Sequence, residues 1–586
     1  MKIKIQYLLV VVFISSVALA QKKDENIGTE VVNVVKPYTP TISDAFKVKE
    51  TPALEDEDNT KKEPIQYTIF SFPVASTFSP SKGRAAGVDK SKIERLFKNY
   101  ITAGAGNYFN AFGELYLTQD IGDTDYAAAM IKHLSSSGGI KEVALDDRFI
   151  NSSIDLTYGS KQKDYSWTTD LGYQFQRYYW YGLPADFGGA LPYENRQALL
   201  SRMDPVQTYH NFNIGGRLQF TESVFDGLAL KYDRFWDAYG SAENRFYVKP
   251  SFTFDAFQKS IKTEVIVDYI GGTFDKNYQG VTALKYGYTN LGIHPSFGMR
   301  KDDWSFDIGA AVYYSLNQNG SNKAYFYPKF LGSLKVVGDF MIFYVGLQGD
   351  LQQNSYRDFT NENPYVSPTL TIIPTDKQYE ALAGLKGKLS NEISYNVRAS
   401  LINEKNKALF EAQDYSVATL DYNNLKNHYV YGNTFGVTYD ALRTFQLYGE
   451  LKADFSKNLA AGIHGSFQKY QTKTALEAWN LPEINLGANL EVNITPRWYA
   501  GADVFYVGDR KDHQTNQDSY TLIPVDNIKT VKGYFDANAH VGFKYSARLT
   551  GFLRLNNLGN QAYQKWLNYP VQSFQVLVGA NYKFDF

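Results

Sequence analysis

Side chains suited to acid, base or metal chemistry are sparse in this sequence. Its seven histidines, at 133, 210, 294, 428, 464, 513 and 540, include no HExxH motif and no pair at i, i+4 spacing, so a helix-borne zinc site is not encoded. Asp302-Asp303, Glu55 to Asp58 and Lys511-Asp512-His513 gather carboxylate or imidazole donors, but each reads as a solvated turn or linker. His464 and His540 fall on polar strand faces, as hydrogen-bonding groups. Neither a G-x-S-x-G elbow nor a Walker loop is present. The chain contains no cysteine, which excludes disulfides, thiol nucleophiles, thiolate metal ligands and a lipidated amino-terminal cysteine. The expectation is a protein that is not an enzyme, with no catalytic residue, no cofactor and no metal ligand.

Charge recurs instead along alternating segments, at Lys262, Glu264, Arg398, Glu450, Lys452, Glu483, Glu491 and Lys544. Both signs are mixed, so no single-sign ring selects ions; cross-bridging that stiffens a wall is expected. The run Tyr178-Tyr179-Trp180-Tyr181 has the rings to stack on sugars or dock a partner protein, and equally the rings of a membrane interface.

Period-two strands must carry these groups. In the last stretch, Phe574, Val576, Val578, Ala580, Tyr582, Phe584 and Phe586 share one face, with Gln575, Gly579, Asn581, Lys583 and Asp585 on the other. Ile484 to Ile494, Phe535 to Tyr545 and Met341 to Leu351 repeat the pattern, the last with Leu351 on its apolar face. A terminal alternating strand leaves unpaired backbone groups that invite another chain to add on. Pairing it with the first strand removes that edge, and the apolar face then meets lipid while the polar face lines a lumen.

Aromatic spacing separates a membrane barrel from a soluble sandwich. Trp304 and Tyr314, Tyr165 and Phe175, and Phe445 and Phe455 each stand ten residues apart on an apolar face; such a span rises about 25 Å along a tilted strand, the height between two aromatic girdles. Tight links such as Arg300 to Asp303, Ser456 to Asn458 and Ser546 to Arg548 alternate with long ones over 176–205, 352–365, 402–428, 508–530 and 557–573, the asymmetry of short periplasmic turns and long extracellular loops. Pro250, Pro295 and Pro328 should mark bulges or strand ends. The fold expected is all-β: a transmembrane antiparallel β-barrel of around twenty strands.

Lys2 and Lys4, an apolar run over 7–14 and Ala18-Leu19-Ala20 have the order of a Sec signal peptide cleaved after Ala20. The expected organisation is a signal over 1–20, an irregular periplasmic or lumen-filling segment over 21–96, with a short helix near 91–97, and a barrel over 97–586. The net charge of −1 supplies no field for nucleic acid. The partner implied is outer-membrane lipid.

Leu555-Asn556-Asn557-Leu558-Gly559-Asn560-Gln561-Ala562-Tyr563, then Tyr569-Pro570 and an aromatic-ended closing strand, resemble the end of TonB-dependent receptor barrels. Trp498 to Gly508 is similar to such barrels in Bacteroidota, and Glu30-Val31-Val32-Asn33-Val34-Val35 faintly resembles their TonB box. The resemblance implies 22 strands, insertion by the barrel-assembly machinery, a TonB-type energy-coupling partner and uptake across the bacterial outer membrane. Family members carry a plug domain ahead of the barrel, whereas fewer than 80 residues separate Ala20 from the expected first strand. Either residues 21–96, inward-folded loops or a partner then occupy so wide a lumen, or the strand count is lower. The alternative is a non-transporting scaffold or subunit of an outer-membrane assembly with a sealed lumen.

Overall fold

The computed structural model describes residues 96–586 except 186, 190, 257–258, 279–281, 415–427 and 516–527. Expectations for the targeting signal, Glu30 to Val35 and Glu55 to Asp58 fall outside these residues. Leu96 and Phe97, at the end of the expected helix near 91–97, are not helical.

Twenty-two strands form one antiparallel sheet whose first member, Asn99–Gly106, pairs both with the second, Ala111–Ile121, and with the last, Gln575–Phe584. The sheet is therefore a closed barrel. Eight residue pairs make the seam in unbroken register from Asn99 opposite Phe584 to Gly106 opposite Leu577. Closure follows from the sequence pattern, because backbone groups in hydrocarbon need partners within the chain and only a ring leaves no strand edge. The two ends of the barrel meet at the short-turn rim, where the Lys98 amide donates to Asp585 Oδ1 at 2.9 Å.

The faces fall as the alternation requires. Leu486, Leu490 and Ile494 are exposed on the outer surface, as are Leu447, Leu451 and Phe455 of the strand Phe435–Ser456. Inward lie the charges: Lys249 and Lys262 each stand 3.5 Å from Glu264, Lys452 is 2.7 Å from Glu450, and His540 is 3.4 Å from Glu491. Lys249–Glu264 and His540–Glu491 bridge different strands, whereas Lys262–Glu264 and Lys452–Glu450 each lie along one strand.

Four details depart from the expected pattern. The stretch 402–428 is not all loop: Ile393–Ala412 and Phe435–Ser456 are strands of 20 and 22 residues. Their upper halves lack an apolar-polar contrast because both faces are covered there, as the burial of Leu409, Phe410 and Phe435 shows. Two of the three prolines mark no bulge, since pairing runs in one register past Pro295 and Pro328; Pro250 stands one residue before a register shift opposite Phe225 and Gly227. A register shift between Gln348 and Asp350 instead turns Leu351 inward, where it is buried against Ile266, Tyr313 and Tyr327; a bulge re-aims the residues after it. Leu577 likewise faces inward and is buried, among the polar residues of the closing strand.

Adjacent positions of the strand Ile484–Asn493 test this geometry. Leu490→Arg, on the lipid face, should cost about 2–4 kcal/mol in reversible folding into bilayers. Asn489→Arg, facing the lumen, should cost under about 1 kcal/mol.

Candidate functional site

A barrel of 22 strands leaves a lumen that wall side chains do not fill. The long connections fold into it and share one apolar core. Trp180, Phe187, Leu199, Tyr356, Val366, Ile372, Phe435 and Tyr569 are all buried, and all but Trp180 belong to a single packed cluster. Trp180 packs beside it with Tyr239 and Tyr429, meeting Tyr429 edge-on.

Local sequence explains how these loops hold their shape. Ser355 caps helix α2 (Tyr356–Glu362) by accepting from the Asp358 amide; helix α1 spans Tyr193–Arg202. Asn354 Nδ2 donates to the Ile373 carbonyl at 2.7 Å and to Thr375 Oγ1 at 2.9 Å, closing the loop base. Pro364, Pro368 and Pro374 keep the return path extended.

Tyr569 is the meeting point. Its ring stacks on Tyr365 at 3.7 Å between centroids and meets Tyr181 edge-on at 4.8 Å. Its hydroxyl donates to the Asn433 carbonyl at 2.5 Å, and Asn433 Nδ2 donates to the Trp180 carbonyl at 3.0 Å. Trp180 follows the fifth strand and Asn433 precedes the sixteenth, eleven places apart in a ring of 22. Loops from opposite walls therefore touch, and the cap crosses the mouth. Aromatic pairs of this kind add about 0.5–1.5 kcal/mol each beyond the area they bury.

The wall grips the cap through carboxylates. Tyr356 Oη donates to Asp237 Oδ2 at 2.8 Å, the Tyr356 amide donates to Glu243 Oε2 at 2.7 Å, and Arg357 reaches Asp233 at 3.1 Å. Below the cap a recess of about 470 Å³ is bordered by Arg245, Asn290, His294, Tyr313, Lys329 and Asp350. A second recess, of about 1060 Å³, shares Tyr247, Lys249 and Glu264 with it and extends to Lys161 and Phe220 beside the short turns. Together they make a polar track along one side of the lumen.

The residues singled out from sequence land as follows. Of Tyr178 to Tyr181, Trp180 and Tyr181 are buried in the cap and Tyr178 packs against its core, while Tyr179 is half-buried beneath Arg148. His464 and His540 are on lumen faces as expected, paired across the sheet with Gly487 and Gly501. His210 stacks on Trp236 at 5.1 Å. Asp302 and Asp303 are exposed in a short turn. No group of three or more metal-ligating side chains occurs among the described residues.

Lys511-Asp512-His513 corrects the solvated-turn reading. It lies in the small hairpin Arg510–His513 and Ile528–Val531, which packs over the end of the strand Ile393–Ala412. Asp512 is fully buried, and its Oδ1 accepts from the amides of Ala412 at 2.9 Å and His513 at 2.8 Å. Burial pushes its carboxyl up to about 7 despite these bonds, with the Glu411 charge adding to the rise. His513 Nδ1 lies 3.0 Å from Glu411.

A carboxyl whose folded value is raised costs stability when it ionises. The docked hairpin should lose stability as pH rises from the ordinary carboxylate range to about 7, with the full loss above that. Asp512→Asn keeps an acceptor for both amides and should remove the slope. At pH 8 it should strengthen docking by on the order of 2–4 kcal/mol, read as slower proteolysis within 508–533, and it should change little at pH 4.

No protein-family model matches this sequence, and no curated protein matches it. Solved structures do share its barrel. The ferric-catecholate import receptor Fiu of Escherichia coli K12 aligns at 12% identity and TM-score 0.57, covering 84% of this chain and 83% of its own. The siderophore receptor PirA of Acinetobacter baumannii aligns at 12% identity and TM-score 0.60, covering 83% and 80%. The FrpB iron transporter of Neisseria meningitidis gives 12% identity and TM-score 0.60, covering 84% and 82%. At such identities the likeness establishes a shared architecture: this chain has the closed 22-strand barrel of outer-membrane receptors.

Proposed function

We propose that this protein is an outer-membrane barrel that takes up a solute in the manner of TonB-dependent receptors, with its own loops closing the mouth where the resembled family carries a plug. The observation that carries the reading is the pairing of that receptor barrel with a polar lumen track ending under a cap that crosses the mouth. In this reading residues 1–20 direct export and are removed after Ala20, 21–96 precede the barrel in the periplasm, 97–586 form the barrel, and the assembly machinery inserts it into a bacterial outer membrane of the Bacteroidota kind. Glu30 to Val35 is the segment offered to a TonB-type protein.

Dense packing around Tyr569, with its hydroxyl bonded to a loop from another part of the wall, favours a second reading, a sealed scaffold within a larger outer-membrane assembly. Cap movement separates the two. The protein has no cysteine, so Tyr181→Cys with Tyr569→Cys places the only two thiols where ring centroids stand 4.8 Å apart. Uptake requires channel openings of the wild-type protein in planar bilayers. It also requires openings of the double variant that a short, reducible thiol cross-linker abolishes and a reductant restores. Silence of the wild-type and of the uncross-linked variant would reject uptake and leave the scaffold.

A further inference from the structure

On one side of the barrel the lipid face breaks its apolar pattern. His133, Ser152, Phe175, His210 and Trp236 lie opposite one another in a single row across five neighbouring strands. Each faces outward, in step with exposed apolar residues below it such as Ile154, Leu171 and Leu230. Phe175 stands ten residues beyond Tyr165, so the row runs about 25 Å above the short-turn girdle, level with the outer headgroups. Aromatic rings are expected at that height; here two imidazoles and a hydroxyl stand among them.

These groups are held in place. His133 Nδ1 lies 2.8 Å from Ser152 Oγ, and its Nε2 lies 3.0 Å from Ser135 Oγ. The His210 ring stacks on Trp236 with 5° between planes, and its Nδ1 is 2.8 Å from Tyr173 Oη. Two half-buried arginines flank that stack. Arg177 folds back over the Phe175 ring at 5.7 Å. Arg234 donates through Nη1 to Asn244 Oδ1 at 3.0 Å, an oxygen that also accepts from Tyr232 Oη at 2.8 Å.

Charge decides the class of occupant. Arg177 and Arg234 are the two charged side chains on the lipid face of the fourth to eighth strands, Phe149–Lys161 to Ala242–Ala256, and every carboxylate of those strands falls on the lumen face. Neither arginine forms an ion pair among the described residues. In the connection above, Arg148 is paired with Asp146, while Asp147 accepts from the amides of Gly139 and Ile140 at 3.0 and 2.8 Å. A cation turned toward lipid is costly unless an anion meets it, and a guanidinium fork matches phosphate oxygens two at a time. Height favours a lipid over a neighbouring protein's carboxylate, because both arginines stand at or just below the headgroups and the continuous apolar wall beneath them is a seat for acyl chains. Between the two cations, Ser152, His210 and Asn244 offer hydroxyl, imidazole and amide groups, partners for the hydroxyls of a sugar that carries those phosphates.

We propose that this face binds a phosphorylated glycolipid of the outer leaflet, its phosphates meeting Arg177 and Arg234 on either side of the His210–Trp236 stack and its acyl chains lying on the strands below. The site lies outside the lumen and is independent of whether the barrel transports.

Native mass spectrometry of the full-length protein, titrated in mild detergent, provides the test. The probes are lipid A carrying both phosphates, the same lipid after their removal, and phosphatidylglycerol. The barrel should retain phosphorylated lipid A, and the two comparison lipids should be held about tenfold more weakly or worse. Arg177→Gln and Arg234→Gln should each weaken retention by about tenfold. Arg443→Gln, which removes an exposed arginine from the strand Phe435–Ser456, should not. Heat-modifiable migration in SDS reports that each variant is folded. Equal retention of either comparison lipid by the wild-type protein would overturn the proposal without recourse to any variant. So would unchanged retention in both Arg177→Gln and Arg234→Gln, or an equal loss from Arg443→Gln, which would mean a diffuse effect of charge.

Discussion

Everything in this molecule depends on the pairing of its first barrel strand with its last. Inside a hydrocarbon layer no water is available to a free N–H or carbonyl, so a sheet with two open edges is not tolerated and a ring is. Eight residue pairs between Asn99–Gly106 and Gln575–Phe584 convert the chain into that ring. The seam is narrow in side-chain volume. Gly104 faces Gly579 across it, and a Cβ on Gly104 would stand 3.0 Å from the Val578 carbonyl oxygen, a close approach that glycine permits.

A ring of 22 strands solves the backbone problem and creates another, because its interior is too wide for wall side chains to meet. Loops meet instead. The tall strands Ile393–Ala412 and Phe435–Ser456 lift part of the wall, and the cap packs against their upper inner faces. Aromatic residues supply the area, while backbone groups and buried carboxylates supply direction. Asp237, Glu243 and Asp233 take hydrogen bonds from Tyr356 and Arg357. Hydrogen bonds to charged groups are stronger than neutral ones and fix geometry. The polar track beneath ends at this cap, so whatever uses the lumen is limited by how the cap moves.

The sequence made the barrel readable and the cap obscure, for one physical reason. Lipid imposes a strict period of two on every residue it touches, so the alternation alone assigns the faces of Ile484–Asn493 and of all but Leu577 in the closing strand. The cap meets no such uniform solvent. Tyr178 to Tyr181 look the same whether displayed or buried, and the upper halves of the two tallest strands lose their alternation where both sides are covered. One signal was present: loops carrying Trp180, Phe187, Leu199, Leu370, Ile372, Trp566 and Leu567 are too apolar to lie in water. Asp512 defeated sequence reading entirely, since a charged tripeptide in a long loop gives no sign that a strand end will cover it. Leu351 was misplaced by a single bulge, which shifts register without leaving a mark in composition.

The central claim is that loops from opposite walls form one packed core across the mouth of a closed barrel. Amide hydrogen exchange of the purified protein in detergent tests it most directly, by comparing 429–434 and 564–570 with the strand Ile393–Ala412 and with the exposed turn 301–303. Slow exchange in both cap segments, within the range of the strand, is the predicted result. Exchange of those segments as fast as the turn would mean that the mouth stands open and would contradict the account.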